Sequence, residues 1–158
     1  MQTLKFTLPE SNNSEYYNLL NRSNSLIVRR NDINKSLLFI NTKMWYSCRA
    51  KKILAAIRPD VESFTTDALK WKNEATNFIL KPHFIFPDGD HLQLEFQHFI
   101  DNLRDSAHRI ETSINLLENN FNNIGVFIDS QLNFRLAFSS FIIALVALIV
   151  ALIPMFLP

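Results

Sequence analysis

The sequence contains very little glycine and cysteine. Only Gly89 and Gly125 occur among its 158 residues, so the chain has no place for a glycine-rich phosphate-binding loop. The single cysteine, Cys48, excludes an intrachain disulfide and fits a reducing compartment, where we expect it to be a small buried apolar residue. No CxxC, HExxH or GxSxG motif is present. We therefore predict that the protein is not an enzyme and needs no cofactor.

Charge is absent from residues 136–158. A run of about 20 apolar residues crosses the roughly 30 Å hydrocarbon core of a bilayer as a helix. The first 21 residues are polar and mixed, unlike a signal peptide, so we expect a C-terminal anchor with the preceding chain in the cytosol. Arg135, which directly precedes the apolar run, favours the same orientation. We predict a single-pass membrane protein in contact with the lipid bilayer through residues 136–158.

Apolar residues before this run recur at alternating spacings of three and four. The pattern is a heptad repeat, and it predicts a long helix that continues as a coiled-coil stalk into the membrane. A second helix is expected at about 60–80, after Pro59 ends a shorter helix at 44–57. The breaker-rich segment 81–90 would join the second helix to the long one as an antiparallel hairpin. The repeat consists of Phe96, Ile100, Leu103, Ala107, Ile110, Ile114, Leu117, Phe121, Ile124 and Ile128.

The predicted hairpin partner is too short to cover this whole apolar seam. A helix over 60–80 is about 30 Å long and reaches only the first 20 or so residues of the long helix. Large apolar side chains left in water forgo roughly 1.5–3 kcal/mol each. We therefore expect a homo-oligomeric coiled coil, unless the 44–57 helix shields part of the seam. The uncovered residues would be Leu117, Phe121, Ile124 and Ile128.

Asparagine and glycine are concentrated in one part of the predicted long helix. Five of the seven residues 119–125 are of these two types, which are poor helix formers. Because the heptad phase holds across them, we expect a continuous helix, with a hinge as the alternative.

The first 42 residues favour strands and turns. Residues 4–8 alternate in polarity, and 25–28 could pair with 37–40 around a polar turn at 31–35. The predicted fold class is mainly α with a small α/β head at the N-terminus. Its parts are a basic head at 1–58, the helical hairpin and stalk at 59–135, and a single C-terminal transmembrane helix at 136–158.

Charge is distributed unevenly between two parts of the chain. Residues 22–58 hold nine basic side chains and one acid, whereas residues 59–132 hold five basic and twelve acidic side chains. A basic surface attracts phosphate groups, and a nearby aromatic ring can stack on a base. We predict a nucleotide or oligonucleotide ligand here, with an ordinary basic surface matched to the acidic helices as the alternative. The predicted ligand-binding residues are Arg29, Arg30, Trp45, Arg49, Lys51 and Lys52.

Binding of this basic block to lipid headgroups is not expected. The stalk would hold the head tens of ångströms from the bilayer, well beyond the ~8 Å Debye length at physiological salt. Only a bend at the asparagine cluster would bring the block near the membrane.

A possible metal site lies at the start of the predicted long helix. His91, Glu95 and His98 share one helix face, and two imidazoles with a carboxylate can ligate zinc or iron. The alternative is the solvated face of an amphipathic helix. We favour this alternative and predict no metal.

A long helix that runs straight into a membrane span is similar to the stalk and first membrane helix of the CorA family of magnesium channels. The similarity is architectural and covers roughly residues 91–158. The chain lacks that family's Gly-Met-Asn motif and second membrane helix. The resemblance therefore implies no ion selectivity and no site residues for this chain.

Two functions follow from these features. The first is a homo-oligomeric membrane effector or pore-like assembly, gated by a ligand-sensing head, for example in defence. The second is a tail-anchored adaptor that recruits a cytosolic protein partner to the membrane. The first is favoured by small residues that recur along one face of the membrane helix and would let copies pack closely. These are Ala137, Ser140, Ala144, Ala147, Ala151 and Pro154.

Overall fold

The protein folds into three α-helices within the residues that the computed structural model describes, which are 13–40, 46–82 and 92–156. Each helix packs against both of the others. The prediction of a mainly α protein with one long C-terminal helix is confirmed. In chain order the helices are α1 (Ser14–Leu38), α2 (Ser47–Leu80) and α3 (Leu92–Phe156).

The helices run up, down and up. Ion pairs between successive helices show this direction, because partners that advance along one helix go backwards along the next. The first part of α3, up to the half-buried Leu132, packs with α1 and α2, and we call this unit the bundle. The pairs are Arg22–Glu74 and Arg29–Asp67 between α1 and α2, and Lys72–Glu111 and Lys51–Asp129 between α2 and α3.

One continuous apolar core runs along the axis of the bundle. Trp71 is its largest fully buried side chain, and its indole Nε1 donates a hydrogen bond of 2.8 Å to the carbonyl oxygen of Leu19. This bond satisfies the only polar atom of the ring, so the indole is buried without an unpaired donor. Tyr16 packs edge-to-face against Phe99 of α3 at a centroid distance of 5.4 Å. Both contacts fix α1 against the rest of the bundle.

The prediction of an α/β head is wrong, because no strand occurs in the part of the chain that the structure describes. Residues 25–28 and 37–40, expected to pair as strands, belong to α1 or directly follow it, and residues 4–8 lie outside the described ranges. The buried residues of α1 in fact keep a heptad spacing, which Ser23 and Arg30 obscure because they are polar. Ser23 is buried at no cost to its hydroxyl, whose Oγ donates to the Leu20 carbonyl at 2.7 Å.

Pro59 does not end a helix. It lies inside α2, which continues without interruption from Ser47 to Leu80. Proline removes one backbone hydrogen bond and leaves the carbonyl of Ala55 without its helical partner. Both Pro59 and Ala55 are exposed, so water can hydrate that carbonyl. Apolar residues continue at heptad spacing on both sides of the proline, and tertiary packing of this face outweighs the local penalty.

The length of α2 changes the argument for an oligomer. Its first part extends along α3 past residue 117, so the seam is covered within the chain. Leu117 and Ile128 are each only 1 % exposed, and Phe121 and Ile124 are half-buried against the core. The physical reason for self-association through this seam therefore no longer holds. Self-association itself stays a prediction.

The asparagine-rich part of α3 is helical, as predicted. Residues 119–125 continue α3 without a break. Arg58 of α2 lies over the ring of Phe121 at 5.7 Å, and Asn120 donates a hydrogen bond to Asn34 of α1 at 3.1 Å. Contacts with both neighbouring helices thus support a segment that has low intrinsic helix propensity.

The last part of α3 leaves the bundle and has no contacts that bury it. Residues 136–152 are all exposed. This part of α3 includes an 18-residue window with a mean hydropathy of 2.4, none of it buried. By length and composition, α3 could cross a membrane.

Candidate functional site

The predicted ligand-binding residues that the structure describes lie in two groups, one on α1 and one at the start of α2. Arg29 donates hydrogen bonds to Asp67 at 2.7 Å and to the Ser63 hydroxyl at 3.0 Å, both on α2. Arg30 is half-buried, and its Nε is buried without a hydrogen-bond partner among the described residues. Asn34, one turn after Arg30, contacts α3, so Arg30 lies on the side of α1 that faces α3. The two adjacent arginines therefore serve different helix interfaces.

The other predicted basic residues lie in the first turns of α2. Lys51 pairs with Asp129 of α3 at 2.7 Å. Arg49 and Lys52 are exposed, and neither has an ion-pair partner within the described ranges. Trp45 lies outside the described residues.

The contacts of Arg29 on α2 lie far along the helix from the basic residues at the start of α2. Arg29 contacts α2 at Ser63 and Asp67, whereas the second group ends at Lys52. At 1.5 Å per residue, the separation along the helix axis is about 17 Å or more. A nucleotide site that uses both groups is not assembled in the fold, and a nucleotide or oligonucleotide ligand stays a prediction.

Three of the nine basic residues of the block pair with acidic residues of the other helices, and Lys35 pairs with an acid of its own helix. This is the alternative that the sequence left open. Exposed pairs of this kind contribute about 0–1 kcal/mol each, so they orient the helices more than they stabilise them. The pairs that involve the block are Arg22–Glu74, Arg29–Asp67, Lys35–Asp32 and Lys51–Asp129.

A shallow cleft of about 700 Å³ lies where α3 leaves the bundle. Cys48 of α2 is exposed there, which corrects the expectation that it is buried. Its Sγ accepts a weak hydrogen bond from Nη1 of Arg135 at 3.8 Å. Leu136 and Ser139, the first residues of the apolar run, line the same cleft. The start of α2 therefore reaches the level at which the apolar part of α3 begins.

A second cleft, of about 290 Å³, lies on the neighbouring side of the same end of α2. It combines exposed aromatic, aliphatic and basic groups on one face. Phe39, which follows α1, is 88 % exposed, and Tyr46 is 50 % exposed. The lining residues are Phe39, Tyr46, Arg49, Ala50 and Ile53.

Among the described residues, two groups have a shifted pKa, and both lie at contacts between helices. Burial raises the pKa of Tyr16, while a hydrogen bond with Asn102 of α3 partly opposes this shift. The pKa of Glu111 is lowered because Lys72 of α2 donates a hydrogen bond to it and adds its positive charge. Neither group has the surroundings of a catalytic acid or base.

The possible metal site cannot be built from described side chains. His91 and the side chain of Glu95 lie outside the described part of the structure. His98 is exposed, and its Nε2 lies 3.4 Å from Nδ2 of Asn102. No group of three or more potential metal ligands occurs among the described residues.

An exposed aromatic stripe on α3 was missed by the sequence reasoning. Phe127, Phe134 and Phe138 lie at spacings of seven and four residues and share one face. They are 48 %, 60 % and 47 % exposed, respectively, and the rings of Phe134 and Phe138 stack with centroids 6.5 Å apart. Heptad spacing outside the main seam was the signal that could have revealed them. The stripe joins the outer surface of the bundle to the apolar run.

No protein-family model, curated protein or solved structure matches the chain.

Proposed function

We propose that the protein is a tail-anchored adaptor, whose bundle docks a protein partner in the cytosol and whose last helix holds it at the membrane. The observation that carries this proposal is the division of α3. Its first part buries one face in the core, while residues 136–152 are all exposed and, apart from two serines, apolar. Lipid is the solvent that suits such a surface, since water would oppose its exposure at about 25 cal/mol per Å².

Two features of the fold favour the adaptor over the ligand-gated effector. The apolar seam of α3, from which a second copy was predicted, is covered by α2 of the same chain. The basic residues that would sense a ligand are divided between two places, and several are paired with acids. A small three-helix bundle without an assembled ligand site is suited to present its surface to a protein.

The aromatic stripe supports a second candidate, a homo-oligomeric membrane effector. Phe127, Phe134 and Phe138 are each about half exposed, so covering each would gain about half of the 1.5–3 kcal/mol for full burial, and another copy of α3 could cover them. Phe138 belongs to the apolar run, so one contact could extend from the bundle into the membrane. A pore or channel-like assembly would use this contact.

A first experiment tests the anchor and its orientation. The full chain should stay with membranes after alkaline extraction. Cys48 is the only cysteine and is exposed, so it should react with an impermeant maleimide only from the cytosolic side of sealed vesicles. Release by alkali, or labelling from the opposite side, would contradict the proposal.

A second experiment separates the adaptor from the effector. Residues 136–158 are replaced by an unrelated single-span helix, and the reciprocal control joins 136–158 to an unrelated soluble domain. The adaptor predicts that the chain with the replaced helix still crosslinks the same protein partner and that the control does not. The effector predicts instead that only the native tail releases dye from vesicles, and that Phe134→Ser abolishes crosslinking between copies.

A further inference from the structure

The exposed basic and aromatic residues at the start of α2 lie at the end of the bundle where the apolar run begins. Lys51 pairs with Asp129, and Cys48 contacts Arg135, so the first turn of α2 is level with residues 129–135 of α3. The expectation that the basic block stands far from the bilayer assumed that α2 starts after Pro59. Because α2 begins at Ser47, part of the block is close to the membrane segment.

Two exposed basic residues without an ion-pair partner among the described residues lie at this end. Arg29 and Lys51 are neutralised by acids on other helices, whereas Arg49 and Lys52 are exposed and have no ion-pair partner in the described parts of the chain. Arg49 and Lys52 are three residues apart on α2 and therefore share a face. Their charge points to an anionic partner.

The apolar residues beside these charges point to a surface that is partly hydrophobic. Tyr46 and Ile53 flank Arg49 on the same helix face, and Phe39 lines the same cleft. Tyrosine is enriched at membrane–water interfaces because its ring is apolar and its hydroxyl is polar. A free phosphate would account for the basic residues but not for the exposed rings.

We propose that the first two turns of α2, through Tyr46, Arg49 and Lys52, bind the anionic phospholipid headgroups of the same bilayer that α3 enters. This inference depends on the proposed membrane anchor. The arginine offers bidentate hydrogen bonds to a lipid phosphate, and the lysine adds a point charge. The contact gives the bundle a second attachment to the membrane beside its anchor.

The test uses the full chain in vesicles of neutral phosphatidylcholine with or without about one-third phosphatidylserine. A fluorophore on Cys48 reports proximity to the surface through quenching by headgroup-labelled lipid. The expected result is stronger quenching with the anionic lipid, and loss of this increase at high salt. Each basic residue near a membrane surface contributes roughly a fivefold factor to binding. Arg49→Gln and Lys52→Gln should therefore each lower the docked-to-undocked ratio about fivefold.

Lys70→Gln provides the matched control. Lys70 is exposed on the same helix and loses the same charge, but it lies about 27 Å further from the membrane end. It should leave the response unchanged. An equal response of all three variants, or no dependence on anionic lipid, would overturn the inference.

Alkaline extraction, done first on every sample, separates the two proposals. A chain that is extracted overturns the anchor and this inference together. A chain that remains inserted but shows no lipid-dependent quenching overturns the headgroup contact alone. To exclude an effect of the label on Arg135, a Cys48→Ser, Ala55→Cys chain carries the fluorophore at an exposed position about two turns further along α2 and should show the same dependence on anionic lipid.

Discussion

The two halves of α3 differ in how many apolar residues they have and in how these residues are arranged around the helix. Between Ile100 and Ile128 the buried apolar residues lie on one stripe, and polar or charged residues occupy most of the rest of the helix, so two neighbouring helices suffice to bury the stripe. From residue 136 onwards apolar residues occupy every face, and two neighbours could not cover them. The number of apolar residues and their distribution around a helix together therefore indicate whether two neighbouring helices can bury its apolar surface.

The largest expected effect is a loss of stability of the bundle, with membrane integration of the apolar part of α3 unchanged. Trp71→Ala removes the largest buried side chain of the bundle and leaves the Leu19 carbonyl without that donor. We expect a loss of about 3–5 kcal/mol in the free energy of unfolding, measured by circular dichroism of the full chain in mild detergent. Leu69→Ala, at a half-exposed position on the same helix, is the control and should change little. Loss of membrane integration in Trp71→Ala would show that the two halves are not independent.

The converse change acts on the apolar part of α3 and leaves the bundle unchanged. Val146→Arg places a charge near the middle of the apolar run, at a cost to membrane insertion of about 2.5–3.5 kcal/mol. The fraction of the chain that resists alkaline extraction should fall, while thermal unfolding of the bundle in detergent stays as in the wild type. Val28→Arg, at an exposed position on α1, is the matched control. Full integration of Val146→Arg would contradict a central position in the bilayer.

A substitution with a smaller effect should stabilise the bundle. A methyl group at Gly125 would meet Leu54 Cδ2 at 3.5 Å, which is an ordinary contact. Gly125→Ala should therefore raise the free energy of unfolding by about 0.5–1 kcal/mol through higher helix propensity, measured by denaturant titration of the full chain in detergent. Gly125→Leu, which cannot fit so close to Leu54, should destabilise. A destabilised alanine variant would show that the helices approach more closely at Gly125.

The smallest effect concerns the ion pair between Lys72 and Glu111. Because the pKa of Glu111 is lowered in the folded state, its contribution to stability is present above the ordinary value of 4.5 and is lost as pH falls through the lower folded value. The difference in melting temperature between wild type and Glu111→Gln should thus be largest near neutral pH and vanish in acid. Glu118→Gln gives the comparison for an acid without this ion pair. A pH-independent difference for Glu111→Gln would contradict this account.

The sequence predicts α3 better than it predicts α1 and α2. The charge-free run and the heptad from Ile100 to Ile128 required only residue spacing, and the buried positions of α3 follow it. In α1, however, the core positions at Ser23 and Arg30 are polar, which hides the heptad. At Pro59 a local rule failed because packing of the α2 face outweighed one missing hydrogen bond.

The candidate site was predicted only in part for a related reason. The predicted block contains Arg49 and Lys52, which remain exposed, together with Arg29, which an ion pair engages. Spacing along the chain cannot show which cations find an acid on another helix. That depends on helix direction and register, and both followed from the unexpected length of α2.

Because α3 is one continuous helix, the bundle is a rigid extension of its apolar part. No loop separates its buried part from its apolar part, so in the proposed membrane-anchored state the whole bundle must follow any change in the angle of the apolar part. The part of α3 within the bundle, from residue 132 back to residue 92, is about 60 Å long. A tilt of about 20°, the average for membrane helices, would displace the far end sideways by about 20 Å. Bilayer thickness could thereby set where a bound partner is held above the membrane.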